Sequence, residues 1–238
     1  MAAELKLGDI SLDVILKDIK NVHLSVYPPT GRVRISAPSH MSMESIRAFA
    51  ISKLDWIRKH QADLLKQERE TPRDFVDRES HYVWGKRYLM HVVEDDAAPS
   101  VRLKGTKMTL SVRPDTPTVK RHVILETWYR ELVKEAVPEL IAKWEPQMGV
   151  HVERFHVQRM KTKWGSCNPD KSSIRLNTEL ARKPRECLEY LVVHEMAHLI
   201  ERTHNARFKE LVDRFMPNWR TRRDELNSFP LAHTEWRY

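Results

Sequence analysis

The residues in this chain best suited to chemistry are three histidines near the C-terminus, within LVVHEMAHLIERTHNARF (191–208). His194 and His198 are four residues apart, so on a helix their imidazoles lie on one face about one turn apart. Glu195 lies between them. In the H-E-x-x-H pattern two imidazoles hold one metal ion, and the glutamate takes a proton from a water that the metal polarises. We therefore predict that His194 and His198 bind a metal and that Glu195 is the catalytic carboxylate.

The residues around this motif favour a metal over ordinary core histidines. Leu191, Val192, Val193, Met196, Ala197, Leu199 and Ile200 flank it, so the helix is expected to be buried on most sides. Burying two imidazoles and a carboxylate without partners is costly, and a metal removes that cost. Satisfied core histidines are the alternative interpretation.

His204 is the predicted third ligand. It follows His198 by six residues, which is a rise of about 9 Å on an uninterrupted helix. His204 can therefore reach the same ion only if the helix ends near 201–203. Asn205 offers such an ending, since it can cap the start of a new helix that carries Phe208 on its apolar face.

Two carboxylates further along the chain, Glu210 and Glu225, are the alternative third ligands. Three imidazoles suit a single zinc ion per chain, with another divalent metal as the alternative. A structural zinc site normally has four protein ligands, often with cysteines, whereas three histidines leave one position open. This argues for catalysis over a non-enzymatic adaptor whose zinc is structural.

A basic segment directly precedes the motif. Between residues 151 and 187 there are nine lysines and arginines against four acidic residues. Such a segment favours an anionic substrate or partner, such as a nucleotide or nucleic acid, and a solvated basic face is the alternative. The candidate substrate-binding residues are Arg159, Lys161, Lys163, Trp164, Ser166 and Arg175.

Hydrophobic periodicity supplies the elements that must position these residues. A β-rich region with one long helix is predicted over 1–113, and the catalytic domain over 114–238, with no internal repeat in the sequence. The first region is predicted to contain a hairpin over 23–35, a helix over 43–67, a strand over 82–93 and a hairpin over 101–112. The second is predicted to contain a helix from 119 that Pro138 kinks or ends, strands over 151–160 and 172–180, and helices over 184–200, 206–216 and 218–227.

Composition limits the class of protein. The 238 residues carry a net charge of +8 and two cysteines, Cys167 and Cys187. Two cysteines are too few for a disulfide framework, so free, inert thiols are predicted. The N-terminus has no signal-peptide pattern and no stretch is long and apolar enough to span a bilayer. We expect a cytoplasmic protein with no membrane partner.

Several stretches read together resemble the YgjP-like metallopeptidase-domain family, which is related to the SprT-like and WLM zincins. They are RMKTKWGSC (159–167), SIRLNTEL (173–180), YLVVHEMAHLIERTHNARF (190–208) and MPNWR (216–220), and the resemblance extends to VHLSVYPPTGRVRISAP and YVWGKRYLMHV in the first half. The resemblance implies an α+β fold with a zincin-like catalytic domain. It also implies that His194, His198 and His204 bind zinc and that Glu195 is catalytic.

The resemblance leaves three activities open. The first is a metallopeptidase acting on a peptide or protein, for which SSIRLNTEL (172–180) is the candidate edge strand that a peptide would join. The alternatives are a UTP pyrophosphatase on the same metal site and a protease that acts on proteins bound to DNA. Arg175, His156 and Lys163 are candidates for the donor that stabilises an oxyanion.

Overall fold

The computed structural model describes residues 2–27, 31–66, 75–160 and 163–228, and Lys161 lies outside them. The protein is α+β, as predicted. It divides into two compact units, one within Met1–Glu70 and one within Thr71–Ala232. This division differs from the predicted boundary at residue 113. The reason is that buried residues of the strands before residue 113, such as Met90 and Leu110, share one hydrophobic core with the helices after it.

The first unit packs one sheet against helices. Strands β1 (Ala2–Leu7), β2 (Ile10–Lys17), β3 (His23–Tyr27) and β4 (Arg32–Pro38) form a sheet of order β1-β2-β4-β3, and α1 (Met43–Ser52) and α2 (Leu54–Lys66) follow. Side chains at alternate positions of β4 are buried, among them Val33 and Ile35, and they share a core with Ile46 and Ile57 of the helices. The predicted 43–67 helix is thus two helices that break at Lys53. Strands β1 and β2 were not predicted.

The second unit begins with a sheet of the same topology. Strands β5 (Ser80–Val83), β6 (Lys86–Glu94), β7 (Ser100–Lys104) and β8 (Lys107–Val112) have the order β5-β6-β8-β7. In each sheet the two central strands run parallel and each edge strand is antiparallel to its neighbour. The two sheets thus share one pairing scheme that the sequence does not reveal as a repeat.

The second unit contains one long helix, α3 (Thr118–Met148). The expectation that Pro138 could end this helix is wrong, because the helix continues through it to Met148. Pro138 is exposed, whereas Val133, Val137 and Ile141 are buried in the core. Burial of this apolar stripe offsets the backbone hydrogen bond that proline cannot make.

The remaining elements of the second unit carry the candidate site. Strands β9 (Arg154–Gln158), β10 (Gly165–Asn168) and β11 (Ser173–Asn177) form a sheet of order β10-β11-β9. Helices α4 (Arg185–Ala197), α5 (Ala206–Phe215) and α6 (Trp219–Ser228) follow, close to the predicted positions. No helix among the described residues is long and apolar enough to cross a membrane.

The β5–β6 turn fixes the segment that leads into α4. Trp84 and Gly85 have φ angles of +49° and +77°, so the predicted 82–93 strand is interrupted there. The Trp84 backbone N–H donates to the Ala181 carbonyl oxygen at 2.8 Å. A Cβ atom at Gly85 would lie 3.0 Å from Pro184. The turn therefore packs directly against the start of α4.

Gly85→Ala should destabilise the protein more than Gly105→Ala. Both glycines have positive φ angles, and each substitution should cost about 1–2 kcal/mol in backbone strain. Only Gly85 also lacks space for a Cβ, whereas Gly105 has no atom within 4 Å of that position. The free energy of unfolding, measured with urea, should fall by about 1 kcal/mol more in the Gly85 variant than in the Gly105 variant. Equal losses would show that the turn does not need to pack closely on Pro184.

Candidate metal centre

Helix α4 is buried along most of its length; it carries His194 and ends at its cap residue His198. Pro184 precedes it with an extended backbone, and Glu186 adds an acid in the first turn, where the helix dipole favours negative charge. The buried residues of α4 are Cys187, Leu188, Tyr190, Leu191, Val192, Val193, Glu195, Met196 and Ala197. Burial on nearly every side fixes the orientation of the last turn, which carries His194 and Glu195.

The helix ends where the third histidine requires it to end. Helix α4 stops at Ala197 with His198 as its C-cap residue, and the Glu201 backbone N–H still donates to the Ala197 carbonyl oxygen at 2.9 Å. The Glu201 carboxylate then accepts hydrogen bonds from the Thr203 backbone N–H at 3.2 Å and the Thr203 hydroxyl at 3.1 Å. These bonds hold the chain in a tight reversal just after the helix.

Asn205 starts the next helix as predicted. Its side-chain oxygen accepts a hydrogen bond from the Phe208 backbone N–H at 3.0 Å, and α5 begins at Ala206. His204 therefore lies on the corner between two helices and is directed back toward α4. The cap is the predicted one, whereas α4 ends at Ala197, earlier than the predicted 201–203.

The three imidazoles converge. The Nε2 atom of His204 lies 3.0 Å from the Nε2 atom of His194 and 3.1 Å from that of His198. Among the described residues, these three histidines are the one group of potential metal ligands whose donor atoms lie together. The group contains no carboxylate, and Glu225 instead accepts a hydrogen bond from Arg222 at 3.1 Å. The convergence therefore favours His204 over Glu210 or Glu225.

Neighbouring groups orient the rings. The Nδ1 atom of His198 lies 3.1 Å from the Glu201 carbonyl oxygen, to which it can donate a hydrogen bond. This leaves the Nε2 lone pair directed at the other histidines. The hydroxyl of Tyr190 lies 3.5 Å from Nδ1 of His194. The Phe208 ring contacts all three imidazoles, with ring centroids 4.5 to 5.0 Å apart.

The protonation state of the rings suits metal binding. Burial lowers the pKa of His194 to about 3, with smaller contributions from the neighbouring His198 and His204. Burial likewise lowers the pKa of His198. Both rings are therefore neutral near pH 7 and can offer a nitrogen lone pair, which metal binding requires.

The donor set fits a zinc ion. Ligand nitrogens about 2.0–2.1 Å from a tetrahedral ion lie about 3.3 Å apart, close to the 3.0 and 3.1 Å separations between these Nε2 atoms. Three imidazoles match the preference of zinc for nitrogen ligands and leave one position open. The residues present thus fit the ion that the sequence predicts.

Glu195 is buried beside the three histidines and close to a glycine. It is 4% exposed, and burial raises the pKa of its carboxyl to about 8, against the smaller opposing effect of the Lys163 charge. A Cβ atom at Gly165 would lie 2.5 Å from Oε1 of Glu195. Gly165 does not have a positive φ. Its lack of a side chain is needed because β10 passes so close to the carboxylate.

An open cleft of about 560 Å³ lies over these groups. One wall is the segment from Lys163 to Cys167 that contains β10, and the other consists of α4, the turn after it and α6. Three of the predicted substrate residues, Lys163, Trp164 and Ser166, line this cleft. Trp164 also packs against the hydrophobic core.

The other described substrate candidates do not line this cleft, although Arg175 lines a pocket of about 270 Å³ together with Ser166 and Cys167, which also line the cleft. Arg175 is exposed on β11 between the buried Ile174 and Leu176, so its side chain projects from the sheet face opposite the core. Its register partner His156 on β9 is also exposed. Arg159 lies 4.0 Å from the Glu126 carboxylate. Arg175, His156 and Arg159 thus do not line the cleft, and of the three oxyanion candidates only Lys163 does.

The edge strand also differs from the predicted one. Residues 173–177 form β11, which is central in its sheet, between β10 and β9. Strand β10, four residues long, pairs with β11 on one side only among the described residues. The edge that faces the cleft is therefore the GSCN segment and not SSIRLNTEL.

Sequence reasoning missed Asn177, which is 4% exposed at the end of β11. Its side-chain amide donates to the carbonyl oxygens of Met160 and Lys163, both at 2.8 Å. Its side-chain oxygen accepts from the backbone N–H groups of Met160 at 3.3 Å and Glu179 at 3.2 Å. Asn177 thereby holds the backbone on both sides of the segment that leads to Lys163. An asparagine at the end of an apolar strand was the available signal.

The two cysteines are free thiols. Cys167 lies in β10, where burial and then the nearby Glu195 charge raise the pKa of its thiol to about 12. Burial also raises the pKa of the Cys187 thiol to about 12. Both thiols stay protonated at neutral pH, which agrees with the prediction that they are inert.

Convergent neutral imidazoles, a buried carboxylate and an open cleft on an α+β scaffold are typical of metal-dependent hydrolases. The family model described as "YgjP-like, metallopeptidase domain" matches residues 20–229. The chain belongs to this family.

Two solved structures are similar to part of the chain. One is the metallopeptidase zymogen abylysin of Pyrococcus abyssi, with 20% identity, a TM-score of 0.36 and coverage of 38% of this chain and 90% of that chain. The other is the metallopeptidase zymogen jannalysin of Methanocaldococcus jannaschii, with 18% identity, a TM-score of 0.33 and coverage of 40% and 92%. No curated protein matches the sequence.

His204→Ala should weaken zinc binding, and His156→Ala should not. His204 supplies one of three converging nitrogens, whereas His156 lies on the exposed face of the sheet. Removing a residue that hydrogen-bonds to a metal ligand weakens metal binding by roughly 10- to 100-fold, and the loss of zinc affinity in the His204 variant should be larger than that. Competition with a chromogenic chelator measures it. Equal zinc affinity in both variants would exclude His204 as a ligand.

Proposed function

We propose that the protein is a zinc-dependent metallopeptidase in which His194, His198 and His204 hold the ion and Glu195 is the general base. The observation that carries this proposal is the convergence of three Nε2 atoms beside a buried carboxylate. Zinc, when bound, would supply a Lewis acid that polarises a water and the scissile carbonyl.

Glu195 is suited to take and return a proton. Burial raises the pKa of its carboxyl to about 8 in the metal-free site, and a positive ion nearby would favour its charged form. A carboxylate whose pKa lies near the working pH can accept a proton from water and later deliver it to the leaving amine. Gly165 keeps the space that this carboxylate occupies free of a side chain.

Strand β10 is the proposed guide for the substrate. Its residues Gly165, Ser166 and Cys167 line the cleft, and it pairs on one side only among the described residues, so an extended peptide could add as a further strand through backbone hydrogen bonds. Because the backbone at Gly165 lies against Glu195, it marks the level of the scissile bond. Lys163, which lines the same cleft, supplies a positive charge for a charged substrate group.

A UTP pyrophosphatase activity is the alternative for the same site. It requires positive charge near the phosphates and usually a magnesium ion on oxygen ligands. Lys163 supplies charge, but the three histidines are nitrogen donors, and no carboxylate joins them among the residues that the structure describes. The donor set therefore favours zinc-dependent peptide hydrolysis.

Glu195→Gln should retain zinc and lose peptidase activity by about 100- to 10,000-fold, because the amide cannot accept the proton from water. The measurement combines metal content by mass spectrometry with cleavage of denatured casein and of UTP by zinc-loaded protein. Wild type that cleaves UTP and leaves protein intact would contradict the peptidase proposal. A variant with full activity would exclude Glu195 as the base.

Gly165→Ala should also lower activity, by about 100-fold, because the new methyl group displaces the Glu195 carboxylate. Gly149→Ala is the matched control. It places alanine at a φ of +66° with no atom within 4 Å, so it costs stability without reaching the cleft. Equal activity of the two variants would show that the close contact between Gly165 and Glu195 is not required.

A further inference from the structure

The cations of the cleft are not equivalent. Lys163, Arg202 and Arg223 all line it. Arg202 forms an ion pair with Asp170 at 2.5 Å, and Arg223 forms one with Asp224 at 2.9 Å. Lys163 forms no salt bridge with any residue in the part of the chain that the structure describes. It is therefore the cation of the cleft that is in no ion pair within the described residues.

The backbone of Lys163 is held in place. Its carbonyl oxygen accepts a hydrogen bond from the buried Asn177 amide at 2.8 Å. The next residue, Trp164, accepts a hydrogen bond from the Asn177 backbone N–H at 2.9 Å. The lysine thus projects from a fixed point on the cleft wall. A fixed cation loses less freedom on binding an anion than one on a mobile loop.

The position of Lys163 along the wall sets where such an anion would lie. A Cβ atom at Gly165 would lie 2.5 Å from Oε1 of Glu195, and Lys163 precedes Gly165 by two residues, with a bend at Trp164 just before β10. A peptide paired with β10 would therefore have Lys163 just beyond the start of that strand, on one side of its scissile bond. Cys167, two residues beyond Gly165 on the other side, carries no charge at neutral pH. Along the wall from Lys163 to Cys167, the positive charge is therefore on the Lys163 side of Gly165.

We infer that Lys163 is a specificity-determining residue that binds an acidic side chain of the substrate, on one side of the cleaved bond. The inference rests on the proposed peptidase function and adds its substrate class, which is an acidic peptide. Asn177 is the positioning residue that fixes the lysine.

The test uses quenched fluorescent peptides that share one sequence and carry Glu, Gln or Lys at each position flanking the cleaved bond. Zinc-loaded wild type should cleave the Glu peptide about fivefold faster than the Gln peptide, as kcat/KM, at one position on one side only. Lys163→Gln should remove this preference, and Lys163→Glu should reverse it toward the Lys peptide. The preference of wild type should shrink at high salt.

Lys107→Gln is the matched control. It removes the same charge from an exposed lysine on β8 that does not line the cleft, so it should keep the wild-type preference. Binding of the Glu peptide to Glu195→Gln protein by fluorescence anisotropy gives a second readout without turnover. Adding Lys163→Gln to that protein should weaken the binding about fivefold.

The outcomes separate the two proposals. Wild type that cleaves no peptide would overturn the proposed function. Wild type that cleaves all peptides equally, or Lys163→Gln that keeps the preference for Glu, would overturn the role of Lys163 alone. If UTP inhibits wild type but not Lys163→Gln while peptide charge has no effect, the lysine binds phosphate, and the acidic-peptide assignment is wrong.

Discussion

The chain must reverse its direction within six residues after His198 for a third imidazole to meet the two on α4. A continuous helix would carry His204 about 9 Å away. The reversal depends on hydrogen bonds that Glu201 makes with both its carboxylate and its carbonyl oxygen. The hydrogen bond between the Glu201 carbonyl oxygen and Nδ1 of His198 also orients the His198 ring. Glu201 therefore stabilises the turn and orients one of the proposed metal ligands. Every chemical property proposed for this protein depends on this short segment.

The rest of the second unit holds that segment against the opposite wall of the cleft. Helix α4 is buried in the same core as α3 and the sheet β10-β11-β9. Strand β10 is close enough to α4 that only glycine fits beside Glu195. The Glu195 carboxylate and the proposed substrate strand are thus fixed by packing in one hydrophobic core. Close-packed cores deform little, which suits a site that needs sub-ångström placement.

The local parts of this arrangement could be predicted from sequence, and the long-range parts could not. Helical spacing was enough to predict that His194 and His198 lie on one face. A capping asparagine was enough to predict the turn before Asn205. Strand order was not accessible in this way, so the central β11 was predicted to be an edge. The direction in which side chains project could not be predicted for the same reason. Arg175 and Lys163 are both basic, but only Lys163 lines the cleft. Asn177 was missed because its partners lie up to 17 residues away.

X-ray absorption at the zinc edge of the metal-loaded protein would show directly whether the three histidines hold the ion. We expect three imidazole nitrogens and one further oxygen or nitrogen ligand at about 2.0–2.1 Å. A sulfur ligand at about 2.3 Å would contradict it, because Cys167 would then have to replace a histidine. A spectrum with six oxygen ligands would likewise show that the three histidines do not form the metal site.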